Sequence, residues 1–474
     1  MTRWTTPWLC GVAITSLIAC SRPAPPNILL IVVDTLRPDR LGCYGSDRGL
    51  TPFVDSLAAR GTVFRRVYAQ SSWTNPSIAS LLTSRYQSQH GIYTFDASLS
   101  ESEITLPEVL KQHGYATGGF SANFLLQGRY GFEHGFDVYK ALARRDVRPS
   151  WGKRLLKEHA SRVNAESLAW LDTIAKTRPA SPIFLYLHYM EPHAPYEAPD
   201  DVLDQVLKGR PRPDRDAINM AMNVSNVLPY DAKMVQATED LYDAGVLHLD
   251  MQLREFFATL NRRGFLDHAV IIFTADHGEE FNEHGLMGHH KSLYESVIRV
   301  PLIIALPGQR THHEVNDLVS LTDIAPTILD LVGIAPPVPF EGQSLVPVLP
   351  QPVDPWWSRA YWRRRWAPVM PRSEFAFSEL IKPADAMRQS PHERAVVADS
   401  GKLIVGINGE RQTYDLTADP AETTPRELPE GKRAALDAGL ERLRGLAAPR
   451  ATPEAARTID PETQERMRAL GYAH

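Results

Sequence analysis

The chain has 474 residues, of which 43% are hydrophobic and 23% charged, with a net charge of −5. A chain of this length and apolar content can bury a large core, and length alone suggests about three domain-sized units. The charge balance makes no whole-chain case for nucleic-acid binding.

The N-terminus reads as a targeting segment. Arg3 supplies a positive start, and Leu9 to Ala19 is mostly apolar yet too short to span a bilayer. It ends Leu17-Ile18-Ala19-Cys20, and a sparse, Pro-containing stretch from Ser21 to Pro26 follows. This resembles a bacterial lipoprotein signal, with residues 1–19 removed, Cys20 lipidated and 20–26 as tether. The blander reading is a secretory signal with a chance Cys. The lipoprotein reading implies anchoring to a membrane of the bacterial cell envelope, facing the periplasm or exterior. Cys10 then leaves with the signal and only Cys43 remains a free thiol. With no intrachain disulfide, the core and any metal must supply stability.

Asn27 to Asp34 is a continuous apolar, β-branched run, as expected of a strand buried on both faces of a parallel sheet. Helical patterns follow at Thr51–Arg60 and Leu106–His113. Further strand-like runs are Ile183–His188, Ala269–Asp276 and Val300–Ala305, with a long helical pattern at Leu241–Asn261 between them. The alternation predicts an α/β sheet with helices on both faces. Residues 199–233 read as a surface insertion. Pro-rich sequence from Pro347 to Pro355 reads as a linker. The expected division is a catalytic unit at 27–350 and a smaller α+β part at 351–474, with short antiparallel strands in Ala395–Ile407 and Gln412–Leu416 and a helix at Ala434–Leu446.

Polar groups follow three of the strands directly: Asp34, His188 and Asp276-His277. In open α/β sheets, sites form beyond the carboxyl ends of strands. A single such residue is more simply a helix cap; three groups are expected to share one site.

Ser71-Ser72-Trp73-Thr74-Asn75-Pro76-Ser77 leads into Leu81-Leu82-Thr83-Ser84-Arg85. This resembles the signature of the sulfatase family, in the alkaline-phosphatase superfamily, where a Cys or Ser stands at the position of Thr74 and an Arg at that of Ile78. Further segments are similar to the family: Asp34-Thr35, His193-Ala194-Pro195-Tyr196, Asp276-His277-Gly278, Gly288-His289-His290-Lys291, Arg299-Val300-Pro301-Leu302, Leu321–Thr327 and Gln412–Glu422. The resemblance covers roughly Pro26 to Glu422. It implies an alkaline-phosphatase-like mixed sheet flanked by helices, with a smaller C-terminal α+β part.

The resemblance assigns metal binding to Asp34, Thr74, Asp276 and His277 and catalysis to Thr74, His193 and His289; Asn123, His188, His290 and Lys291 are candidates for substrate contact. His289 and His290 remain alternatives for the family's anion-facing residue. Oxygen plus imidazole ligands favour Zn or Mn, with Ca or Mg possible, and one ion over two. Four departures stand out. Thr35 replaces a second metal Asp, and Ile78 replaces Arg. The family's Lys and His are missing around Phe120–Leu125, and Thr74 replaces Cys or Ser. The family oxidises Cys or Ser to formylglycine, an aldehyde, but oxidising Thr would give a ketone.

Pro76 fits the first turn of a helix, which would put Thr74 at its N-terminus, where free N–H groups favour an anion. Thr74 as a mere N-cap is the bland alternative. The expected activity is therefore metal-dependent ester hydrolysis with Thr74 as nucleophile, on phosphate esters and in particular diesters, the substrate being a small molecule or a lipid or glycan ester. Alternatives are a sulfate-ester hydrolase, a phosphoethanolamine- or phosphoglycerol-type transferase, and a non-catalytic binding protein. The aromatic and basic run Trp356–Trp366 has no counterpart in the family; it could contact anionic head groups or form a domain-joining loop.

Overall fold

The computed structural model describes residues 25–142, 144–145, 155–223, 230–350, 373–381 and 393–446. The signal segment with Cys20 and the Trp356–Trp366 run lie outside the described residues.

Eight strands form the main sheet: β1 (Asn27–Val33), β2 (Thr62–Tyr68), β3 (Ala116–Ser121), β4 (Val138–Ala141), β5 (Ile183–Tyr189), β6 (Ala269–Ala275), β7 (Arg299–Ala305) and β8 (His313–Ser320). Their order is β8-β2-β7-β6-β1-β5-β3-β4. β1 pairs parallel with both β5 and β6, which explains its unbroken Ile28-Leu29-Leu30-Ile31-Val32-Val33 run, buried throughout. Helices flank the sheet. Trp170 of α3 (Ala160–Thr177) packs on Phe120 of β3, and Phe257 of α4 (Ala232–Arg262) packs on Phe53 of α1 (Pro52–Ala58).

The Val300–Ala305 run does not continue the parallel pattern. β7 lies antiparallel to both its neighbours, β2 and β6. It is buried on both faces like the others, so composition alone does not distinguish it. The consequence is functional: β7 begins at the edge where the parallel strands end, so the residues just before it reach that edge too. The 199–233 segment holds helices Asp200–Leu207 and Arg215–Asn223.

A second sheet is an antiparallel meander of β9 (Phe375–Leu380), β10 (Glu393–Ala398), β11 (Gly401–Gly406) and β12 (Arg411–Asp415). Helix Glu430–Leu446 covers it, burying Leu436, Leu440 and Leu443 against Phe377, Val396 and Leu403. Its first strand is bonded to the main unit, with Glu379 N donating to Gln70 O at 2.8 Å. No helix among the described residues is long and apolar enough to cross a membrane.

Candidate active site

The parallel strands β1, β5 and β6 deliver Asp34, His188 and Asp276-His277 to one edge of the sheet. All four side chains are fully buried. Asp34 Oδ2 accepts from Asn123 Nδ2 at 2.8 Å and lies 3.2 Å from His188 Nε2. His188 is braced in turn by the Tyr186 hydroxyl, 3.0 Å from its Nδ1. It therefore abuts the Asp34 carboxylate from behind. Asn123 lies just past the end of β3; its Oδ1 accepts from Leu125 N at 2.8 Å, which holds the amide in one orientation.

Asp34, Asp276 and His277 offer ligand atoms that all lie within 4.8 Å of one another. His277 Nε2 is 3.6 Å from both Asp34 Oδ1 and Asp276 Oδ2. These two carboxylate oxygens are buried and have no hydrogen-bond partner. Two orphaned anionic oxygens facing one imidazole nitrogen call for a cation, because buried charges need pairing. The tautomer agrees: His277 Nδ1 donates to Gly278 O at 2.9 Å, leaving a lone pair on Nε2. The donor set of two carboxylates and one imidazole fits a divalent ion. Gly278 is required because a Cβ there would meet Ser296 O at 2.0 Å.

Electrostatics separate the two carboxyls. Burial would raise Asp34, but the imidazoles of His193, His188 and His277 outweigh it and hold Asp34 below the usual carboxylate range. Asp276 is pushed well above that range by burial and by the Asp34 charge.

Thr74 is the first residue of α2 (Thr74–Thr83), every residue of which is buried. The N-cap position belongs to Trp73, so Thr74 is not the cap. Its Oγ1 lies 3.4 Å from Asp34 Oδ2, 3.4 Å from His277 Nε2 and 3.4 Å from Asn123 Nδ2. The hydroxyl thus faces the Asp34 and His277 ligand atoms from the positive end of a helix dipole.

Thr35 is turned away. Its hydroxyl donates to Asp34 O at 2.7 Å, and its N–H points to Asp276 Oδ1 at 3.3 Å. His193, His289 and His277 form a ring cluster, with centroids 5.0 Å apart for His193 and His289 and 4.6 Å for His277 and His289. Burial lowers the His193 pKa to about 4. The His193 loop is pinned by Lys157, whose ammonium donates to Met190 O and Glu191 O at 2.7 Å each.

Of the two adjacent imidazoles, His289 is the one inside this cluster. His290 adopts φ +59°, donates its N–H to Ser72 O at 2.9 Å and sets its ring against Phe95. Lys291 is half-buried and donates to Met287 O at 2.7 Å. Sequence reading missed three supports: Lys157, Tyr242, whose hydroxyl donates to Thr35 O at 2.7 Å, and Glu279, which bonds His289. Only Glu279 carried a signal, since it directly follows Asp276-His277-Gly278.

A mixed sheet with one antiparallel strand, carrying a carboxylate pair, an imidazole and a hydroxyl at its carboxyl edge, defines an alkaline-phosphatase-like ester hydrolase. The chain belongs to the sulfatase family, whose model matches residues 26–334. It is similar to mouse (Mus musculus) arylsulfatase K, 24% identical over 466 residues, covering 88% of this chain and 82% of the relative. Among solved structures, the phosphonate monoester hydrolase of Agrobacterium radiobacter has a TM-score of 0.70 at 22% identity, covering 89% of this chain and 95% of that one. A protein solved with its substrate D-glucosamine-2-N,6-O-disulfate has a TM-score of 0.70 at 20% identity, covering 89% and 98%. Family enzymes are metal-dependent, in keeping with the Asp34, Asp276 and His277 cluster.

Proposed function

We propose that the protein is a metal-dependent hydrolase of phosphate esters, in particular diesters, with Thr74 as its nucleophile. The observation that carries this reading is the secondary hydroxyl of Thr74, 3.4 Å from both Asp34 Oδ2 and His277 Nε2 at a helix N-terminus. Asp34, Asp276 and His277, with Thr74 Oγ1, would hold one divalent ion, Zn or Mn before Ca or Mg. When bound, such an ion lowers the pKa of a hydroxyl and polarises the transferred group.

The chain's own residues supply the rest. Thr74 Oγ1 loses its proton to water and attacks phosphorus. The bond from phosphorus to the leaving oxygen breaks with its electron pair on that oxygen, which takes a proton from an imidazole of the His193–His289 cluster. Asn123 Nδ2, 2.8 Å from Asp34 Oδ2 and 3.4 Å from Thr74 Oγ1, would turn its longer bond to an oxygen of the transferred group. Water then attacks the phosphothreonine and passes a proton to the same imidazole. Oγ1 departs with its bonding pair and regains a proton from water. Phosphothreonine can be released this way, whereas a sulfated Thr lacks the exit that a formylglycine hydrate provides.

The second reading is a sulfate-ester hydrolase, favoured by the arylsulfatase relative. Second-order rate constants on matched aryl phosphate and sulfate esters decide between them, because their ratio reports differential transition-state binding. A sulfate preference of about tenfold or more, roughly 1.4 kcal/mol, reverses the proposal.

The same reading places the enzyme on the outer side of a bacterial membrane through a lipid on Cys20, acting on small-molecule, lipid or glycan esters. It is supported by Leu17-Ile18-Ala19-Cys20 after a short apolar run. Cys20→Ala is expected to abolish lipid labelling and release the protein from membranes; labelling that persists in the variant refutes the anchor.

A further inference from the structure

Glu279 is a fully buried carboxylate with no part in metal binding or nucleophilic attack. The reason it meets His289 lies in the backbone. Glu280–Phe281 and Met287–Gly288 form a short antiparallel ladder in which Gly288 pairs with Glu280. The next cross-strand pair in that register is Glu279 opposite His289, where side chains of an antiparallel pair come close. The Glu279 Oε1 to His289 Nδ1 distance is 2.9 Å. The His289 ring also lies against His277 and His193, with centroids 4.6 and 5.0 Å away.

We propose that Glu279 is a positioning residue that fixes His289 through Nδ1, so that His289 Nε2, and not His193, addresses the oxygen leaving the ester. This rests on the hydrolase reading above and assigns one of its two imidazoles. The contrast between them is chemical. His193 Nδ1 is bonded to the carbonyl of its own neighbour Ala194, an uncharged acceptor. His289 Nδ1 faces a side-chain carboxyl at 2.9 Å, reached across a short ladder and not within its own turn, and this contact orients the ring. A base oriented by a third group is the arrangement that fixes which ring nitrogen works. The nearby Lys291 ammonium donates to Met287 O. The proton balance is that given above: His289 Nε2 gives its proton to the leaving oxygen and regains one from the water that attacks phosphothreonine.

The test is a leaving-group series, from para-nitrophenyl to phenyl to methyl-substituted phenyl esters, on the wild type and on Glu279→Gln, Glu279→Ala, His289→Ala and His193→Ala. Good leaving groups need no proton and poor ones do. Glu279→Ala is therefore expected to lose on the order of 10²-fold in kcat on the poorest leaving group and much less on para-nitrophenyl. Glu279→Gln keeps the bulk and an acceptor oxygen and is expected to fall between. His289→Ala should show the same steepening, and the Glu279→Ala/His289→Ala double variant should be no slower than His289→Ala.

Equal loss across all leaving groups, additive losses in the double variant, or steepening confined to His193→Ala overturns the proposal. The choice of phosphate or sulfate is read separately, from the wild type, and the series runs with whichever ester it prefers. Imidazole N–H NMR gives a readout independent of turnover. A downfield His289 Nδ1 proton is expected in the wild type and should shift in Glu279→Gln; its absence from the wild type also overturns the proposal.

Discussion

Thr35 donates its hydroxyl proton to the Asp34 carbonyl oxygen, 2.7 Å away, at the position where the family resemblance places a second metal-binding carboxylate. Its φ is +59°, a left-handed conformation that β-branched residues rarely adopt. The turn aims its N–H at Asp276 Oδ1, so the backbone and not the side chain serves the site. Thr35→Gly is accordingly expected to keep its divalent ion, while Asp34→Asn and Asp276→Asn lose it. Elemental analysis of the purified variants checks this. Metal lost with Thr35→Gly but kept by Asp276→Asn would refute the ligand set.

Removing the ion should destabilise the whole protein. Asp34 Oδ1 and Asp276 Oδ2 are buried and have no hydrogen-bond donor, so chelation leaves two carboxyls facing each other out of water. Binding an ion to the folded state alone stabilises it by about 2.7 kcal/mol at a hundredfold excess over Kd. Calorimetry with and without a chelator is expected to show a clear fall in Tm. An unchanged Tm, with ion content near zero in both samples, would sink the metal centre.

Thr74→Ala is expected to lower turnover on the order of 10⁶-fold, as loss of a covalent nucleophile does. Thr74→Ser keeps a hydroxyl on Cβ and should retain part of the activity. The intact mass of the wild type should match unmodified Thr at this position. Near-normal activity in Thr74→Ala, or the mass of an oxidised residue, contradicts the mechanism.

The strands that could be read from sequence are those buried on both faces. Asn27–Asp34 and Ala269–Asp276 were expected, and β1 and β6 end one residue earlier because Asp34 and Asp276 turn into the site. β3, Ala-Thr-Gly-Gly-Phe-Ser, gave no such signal. Gly118 and Gly119 stand there because a Cβ would meet Trp170 at 2.7 Å and Tyr139 at 2.5 Å, and distant partners leave no local trace. β2 was hidden by Arg65 and Arg66 in its middle. The long helix begins at Ala232, nine residues before the pattern read at Leu241, because its first turns are half-exposed and polar. The site's groups could be read as motifs, whereas the roles of Thr35, Tyr242 and Lys157 depend on hydrogen-bond geometry that motifs do not carry.

His90 gives the fold a pH dependence away from the metal. It is buried, its Nδ1 accepts from Ile92 N at 3.2 Å, and its Nε2 lies 3.1 Å from Ser80 Oγ on the nucleophile helix. Burial lowers its pKa from 6.5 to about 3. A depressed folded-state value means that the unfolded chain binds the proton first. The contribution is therefore full above about 6.5 and is lost as pH falls toward 3. Within that window His90 should add a slope of up to about 1.4 kcal/mol per pH unit. Urea unfolding of wild type and His90→Gln across this range measures it. Parallel stability curves for the two would show that His90 does not titrate with unfolding.

The C-terminal sheet is bonded to the loop that delivers Thr74. Ser378 Oγ donates to Ala69 O at 2.6 Å, Glu379 N to Gln70 O at 2.8 Å and Ser71 Oγ to Glu379 O at 2.7 Å. Ser77 Oγ, in the first turn of the nucleophile helix, donates to Ser71 O at 2.9 Å. The chain of bonds runs from β9 through Ser71 to the helix that starts at Thr74, so the smaller sheet braces the nucleophile as well as burying its own core. Ser378→Ala removes a donor from a buried carbonyl and should cost about 1–3 kcal/mol. Because the loop positions Thr74, kcat is expected to fall with stability while KM changes little. Denaturant midpoints and steady-state kinetics on the same preparation separate the effects. A variant that loses stability at unchanged kcat would show that the C-terminal sheet only packs against the catalytic unit and does not position its nucleophile.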